Sequence, residues 1–203
     1  MPPTVSSHRL VRGLDYDTAM KRRRLRRLEL PGTARFLTFT CYRRLPLLQN
    51  PKIADRFAER LTEVAAKLRM SVLCWVIMPN HVHLIVYAND PAVTMKQFTY
   101  ALKAHFAQGV IKRWKMLDAP ILERLRHGDE HRFWQTGGGY DRNLVGKELL
   151  EKIVYVHANP IRWDLAERPC DYRWSSAAAY EGLPCIGPGI DFALLPPVDV
   201  DLT

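Results

Sequence analysis

Four cysteines in 203 residues, at positions 41, 74, 170 and 185, form no Cys-x-x-Cys pair, which excludes a zinc ribbon and the dense disulfide scaffold of a small secreted domain. Reduced thiols, buried or incidental, are expected. No apolar stretch exceeds strand size, Leu84-Ile85-Val86-Tyr87 being representative, so nothing approaches the ~20 apolar residues of a membrane span. The opening Met-Pro-Pro-Thr-Val-Ser-Ser has neither an apolar core nor a small-residue cleavage site, and the expectation is a soluble cytoplasmic chain. Also missing are an internal repeat, a His-Glu-x-x-His pair and a phosphate-cradling P-loop. Zincin-type hydrolysis and chemistry driven by nucleoside triphosphates are thereby set aside.

Acid is scarce relative to base. Thirty Lys and Arg face twenty-one Asp and Glu, a net charge of +9, and a field of that sign attracts polyanions, nucleic acid first. Apolar residues at 47% and charged residues at 25% are ordinary for a globular domain and exclude wholesale disorder. Much of the basic excess lies in Lys21-Arg22-Arg23-Arg24-Leu25-Arg26-Arg27. Charges this dense repel one another and resist burial, so residues 1–30 are read as an exposed basic arm, with Lys21, Arg22, Arg23, Arg24, Arg26 and Arg27 as candidate phosphate contacts.

The folded part is expected over residues 31–181, followed by a Pro- and Gly-rich tail over 182–203. Phe36–Tyr42 reads as a strand, Ile53–Met70 as an amphipathic helix, and Ser71–Met78 and His81–Tyr87 as strands joined across Pro79-Asn80. Thr94–Trp114 has the apolar spacing of a second helix. Residues 115–131 read as irregular, 132–143 as a short strand broken at Gly137-Gly138-Gly139, and Lys147–Ala158 as a third helix stopped by Asn159-Pro160. This order predicts an α+β fold, a ferredoxin-like sandwich of an antiparallel sheet with helices packed on one face.

Period-two alternation puts His81 and His83 on one face of their strand and Val82 on the other. Two imidazoles in an otherwise apolar strand give up hydrophobic burial, and a convergent pair is a candidate metal site. In the third helix Leu149, Leu150, Ile153 and Val156 or His157 fill the core stripe, which leaves Tyr155 on the other face. Tyr140, next to the glycine run, is the alternative reactive tyrosine.

Met78-Pro79-Asn80-His81-Val82-His83-Leu84-Ile85 resembles the His-hydrophobe-His strand of the HUH nucleases, in the form carried by single-tyrosine transposases of the smallest insertion sequences. Arg132-Phe133-Trp134-Gln135, Tyr140-Asp141, Ile153 to Ile161 with its Tyr155-Val156-His157-Ala158-Asn159-Pro160, and Asp171-Tyr172-Arg173-Trp174-Ser175-Ser176 follow in the order of the branch called REP-associated tyrosine transposases. The resemblance spans roughly residues 31–180. It implies a ferredoxin-like fold and nicking and rejoining of single-stranded DNA beside repeat hairpins through a 5′-phosphotyrosine. It further implies that Tyr155 is the nucleophile and that His81, His83 and Asn159 hold a divalent ion, Mg2+ or Mn2+. A monomer and a homodimer both remain open, and a domesticated hairpin-binding protein without strand transfer is the alternative reading. Phe133, Trp134, Tyr140, Trp163 and Trp174 are candidate stacking faces for single-stranded bases, and most tryptophans are expected to be partly buried.

Overall fold

A computed structural model describes residues 30–197 of the chain. The basic run from Lys21 to Arg27 lies outside them. β1 (Ala34–Cys41), β2 (Met70–Met78), β3 (His81–Ala88) and a later strand over 134–144 form one antiparallel sheet, in the order β2, β3, β1 and then the late strand. α1 (Pro51–Lys67) connects β1 to β2 and α2 (Met95–Met116) leads on from β3. Each crossover thus skips one strand, the split βαβ arrangement of a ferredoxin-like α+β fold.

Both crossover helices have chemically defined starts. Asn50 caps α1 by accepting from the Lys52 amide at 3.0 Å, with Pro51 in the first turn. Thr94 and Gln97 form a reciprocal capping box at the start of α2, the Thr94 hydroxyl accepting from the Gln97 amide and the Gln97 side chain accepting from the Thr94 amide. Phe57 and Leu61 from α1 and Phe98, Leu102 and Phe106 from α2 bury one sheet face, where they meet Leu37, Phe39, Trp75, Val82, Leu84 and Val86.

Residues 115–131, expected as irregular, contain the short helix α3 (Ile121–Leu125) and a two-stranded hairpin, β4 (Arg126–His127) with β5 (Glu130–His131). The next strand, β6 (Trp134–Leu144), runs unbroken through the three glycines, with a register shift opposite Phe39 to Cys41. At Gly139 a Cβ would come within 3.2 Å of the Thr38 carbonyl oxygen, so the lack of a side chain permits close pairing with β1.

Helix α4 (Gly146–His157) differs from the expected layering. The crossover helices occupy one face, and α4 covers the other, burying Leu149, Ile153 and Val156 against Phe36, Cys74, Val76, Met78 and Ile85. Strand periodicity requires this second cover, because all nine residues of β2 are buried, which demands apolar neighbours on both sides. The described part of the expected tail also packs on β2. The Asp191 amide donates to the Val72 carbonyl at 3.1 Å, the Ser71 hydroxyl donates to the Asp191 carboxylate at 2.6 Å, and Gly187 lies against Trp75. Upstream, Ile77 donates to the Trp174 carbonyl and Ser176 to that of Trp75, so the outer edge of β2 is closed. No described helix is long and apolar enough to cross a membrane.

Candidate active site

The register of the central strands builds the site. His83 lies opposite Thr38 and His81 opposite Thr40, and both imidazoles project from the sheet face covered by α4. His83 Nδ1 is hydrogen-bonded to the Thr38 hydroxyl at 2.8 Å and His81 Nδ1 to the Asn80 side-chain oxygen at 2.7 Å. With each Nδ1 engaged, the nitrogen each ring offers to a ligand is Nε2. A second hydrogen bond of this kind is what orients a metal-binding histidine. The rings stand 4.7 Å apart, centroid to centroid.

Burial keeps both rings neutral. It pulls His81 down to about 4, with the nearby Arg44 charge adding to the effect, and His83 down to about 3, helped by His81 and by Lys152. Neutral imidazole is the form a metal ion binds.

α4 brings its tyrosine to the same place. Ile153 and Val156 face the sheet, which leaves Tyr155 half-buried at the helix margin, its ring 5.7 Å from that of His83 and 6.3 Å from Phe36. Two cations flank the phenol: Lys152 Nζ lies 4.6 Å and the Arg162 guanidinium carbon 5.0 Å from the ring centroid.

α4 ends at His157 with Ala158 as its C-cap, as expected ahead of Asn159-Pro160, but the chain stays close to helical geometry beyond it. Ala158 keeps right-handed helical backbone angles, and Asn159 begins α5 (Asn159–Arg162) directly behind α4. Its side chain is buried, and its Nδ2 donates to the carbonyls of Tyr155 at 2.8 Å and Val156 at 3.3 Å. Both bonds hold the nitrogen to the helix and turn Oδ1 away from it. Arg44, His81, His83, Tyr155, Asn159 and Trp163 are among the lining of one cleft of about 260 Å³. Two imidazole nitrogens and one amide oxygen are a donor set suited to a divalent ion that must leave coordination positions for phosphate and water.

Residues 33–159 match the protein family described as "Transposase IS200 like". The chain belongs to the IS200-like transposase family. Both histidines, Tyr155 and Asn159 fall inside the matched residues. Among solved structures, one described as a REP-associated tyrosine transposase bound to a REP hairpin has the same fold, with a TM-score of 0.58 and 19% identity over 85% of this chain and 96% of that one. A putative transposase from Deinococcus radiodurans is matched at a TM-score of 0.44 and 19% identity over 60% of this chain and 85% of that one. No curated protein matches.

In this DNA transposase the alternative tyrosine, Tyr140, lies in β6 in register with Thr38. Phe133 and Trp134 are core residues, and Trp174 donates its indole N–H to Asp55 at 2.8 Å, so these three are structural. Cys41 and Cys74 are buried, and all four cysteines are free thiols.

Sequence reasoning missed what anchors the tyrosine helix. His157 Nε2 meets the Ser176 hydroxyl at 2.9 Å and Cys74 Sγ at 3.2 Å, and its ring packs edge-on against Tyr180 at 4.8 Å. This buried bond ties the end of α4 to β2 and to the segment after Trp174. The signal was present as two separate motifs, one containing His157 and the other Ser176, but linear spacing does not show that they touch.

Burial pulls the His157 imidazole from 6.5 down to about 4. The unfolded chain therefore takes up a proton that the folded chain refuses, and stability is full above the unfolded value and lost on acidification toward the folded one. In metal-free protein the urea midpoint should hold steady above pH 6.5 and fall as pH drops toward about 4. His157→Gln should make that fall shallower. An unchanged slope in the variant would contradict the burial argument.

Proposed function

We propose that this transposase nicks and rejoins single-stranded DNA beside repeat hairpins, with Tyr155 as nucleophile and with His81, His83 and Asn159 as ligands of a divalent ion. The observation that carries the reading is the convergence of these four side chains on one cleft in a chain of the IS200-like transposase family. The solved relative of the same fold, bound to a REP hairpin, supports hairpin DNA as the partner.

His81 and His83 would hold the ion through Nε2 and Asn159 through Oδ1. Mg2+ or Mn2+ bound there supplies Lewis-acid polarisation and orientation of the scissile phosphate. The Tyr155 oxygen attacks phosphorus, its bond to phosphorus forms, and the bond from phosphorus to the 3′ oxygen breaks. The products are a 5′-phosphotyrosine and a 3′-hydroxyl, and the proton lost by the phenol is matched by the one gained at the 3′ oxygen. Lys152 and Arg162, over the faces of the ring, place positive charge beside the anionic phosphate that the cleft would receive. Attack by another 3′-hydroxyl on the phosphotyrosine rejoins DNA and restores the phenol. Phosphodiester is exchanged for phosphodiester, so no nucleoside triphosphate is consumed.

Tyr155→Phe removes only a hydroxyl at a half-buried helix margin and should leave the fold intact. With Mn2+ and a single-stranded hairpin substrate drawn from inverted repeats flanking the gene, wild type should form a covalent protein–DNA adduct that survives denaturing electrophoresis. The Phe variant should bind the hairpin and give no adduct. An adduct that persists in this variant and disappears in Tyr140→Phe would move the nucleophile to β6. Hairpin binding by wild type without cleavage would favour a domesticated binding protein.

The basic arm is proposed to add phosphate contacts through Lys21, Arg22, Arg23, Arg24, Arg26 and Arg27. Deleting residues 1–30 should flatten the dependence of log affinity on log salt by about 0.7 per lost contact on single strands. An unchanged slope would remove the arm from the interface.

A further inference from the structure

Of the aromatic residues named as candidate stacking faces, one stands apart. Trp163 is 48% exposed and lines the cleft, its ring 5.6 Å from that of His81 and tilted 50° to it. Its backbone is held firmly. Trp163 caps the short helix α5, its amide donates to the Pro160 carbonyl at 3.2 Å, the Leu165 amide donates to the same oxygen at 2.9 Å, and Asp164 takes a left-handed conformation at φ 53°. The indole thus sits on a closed turn at the rim of the site, with one flank on His81 and nearly half of its surface open.

The charge lining the cleft has one sign. Arg44 lines the cleft and Arg162 lies over the Tyr155 ring, neither forms an ion pair among the described residues, and no Asp or Glu lines the cleft. Elsewhere on the molecule, exposed arginines such as Arg56 and Arg168 are paired with carboxylates. A flat apolar face bordered by unmatched guanidinium groups is complementary to a nucleotide, in which a flat base is joined to an anionic backbone.

We infer that Trp163 is the stacking platform for a base next to the reacting phosphate, with Arg44 taking an adjoining phosphate. The inference rests on the proposal that this cleft acts on single-stranded DNA, and it adds to that proposal the element that positions the strand. His81 below the indole links the platform to the candidate metal ligands, so a base seated on Trp163 holds its own phosphate close to the reacting groups. Stacking is tolerant of sequence because every base has a flat face, so Trp163 contributes affinity and placement without selecting among bases.

The test compares an oligothymidylate with an abasic deoxyribose-phosphate strand of equal length, both titrated at low salt against the full chain carrying Tyr155→Phe to prevent cleavage. Adding Trp163→Ala should weaken binding of oligothymidylate by about 5- to 150-fold, the loss expected for one base–aromatic stack, and leave the abasic strand within twofold. Trp163→Phe should recover most of the difference. The basic arm contributes equally to both strands and cancels in the ratio. Equal affinity of the Trp163→Ala variant and its parent for oligothymidylate would overturn the stacking role while leaving the strand-transfer reading intact. An equal loss on both strands would overturn it too, by making Trp163 a structural residue. If the parent bound neither strand, the single-strand reading of the cleft would fail, and the platform with it.

Discussion

The pairing of β3 with β1 is the constraint from which the rest of the site follows. A slip of one residue would exchange the two faces of β3, turning His81 and His83 into the core under α1 and α2 and bringing Val82 and Leu84 out to the cleft. These two apolar side chains are fully buried, and burial of each stabilises the native register by about 1.5–3 kcal/mol. The same core that holds the sheet together therefore aims the histidines. Thr38, brought opposite His83 by that register, fixes the imidazole through its hydroxyl.

The second determinant is the rotation of α4 about its axis. Leu149, Ile153 and Val156 set the face it turns to the sheet, and His157 locks the helix end through Ser176 and Cys74. Tyr155 and His157 are two residues apart and so lie on nearly opposite sides of the helix. Anchoring one side in a buried hydrogen bond directs the other toward His83. Asn159 extends the arrangement by one turn, since its amide nitrogen caps carbonyls of α4 and its oxygen is turned away from the helix. The site is thus assembled from a strand pair and one helix whose positions are set by burial rather than by loops, as preorganised chemistry requires.

Much of this was legible in the sequence because it is periodic. Alternation around Val82 placed both histidines on one face, and the helical stripe of Leu149, Ile153 and Val156 left Tyr155 at the margin. Periodicity identifies an apolar face without saying which surface it meets, so the placement of α4 on the second sheet face was not readable. The unbroken run of buried residues in β2 was the available clue. Residues 115–131 lack a long repeat, and their short helix and hairpin depend on tertiary packing. The packing of residues 183–195 on β2 was hidden for a similar reason: proline and glycine suggested a tail, whereas Gly187 and Asp191 make specific contacts with Trp75, Val72 and Ser71. At Asn159, the local preference against helix before proline gave way to two side-chain hydrogen bonds and to burial.

Strand register delivers two neutral imidazoles, each with Nε2 available, to the tyrosine helix. Pulsed electron paramagnetic resonance on the full chain loaded with Mn2+ reads this directly, because nitrogen couplings report imidazole bound to the ion. Two inequivalent imidazole nitrogens should appear in wild type, one should be lost in His81→Ala and the other in His83→Ala, and both should persist in Tyr155→Phe. A spectrum of fully hydrated Mn2+, or nitrogen couplings unchanged by either histidine substitution, would contradict the account.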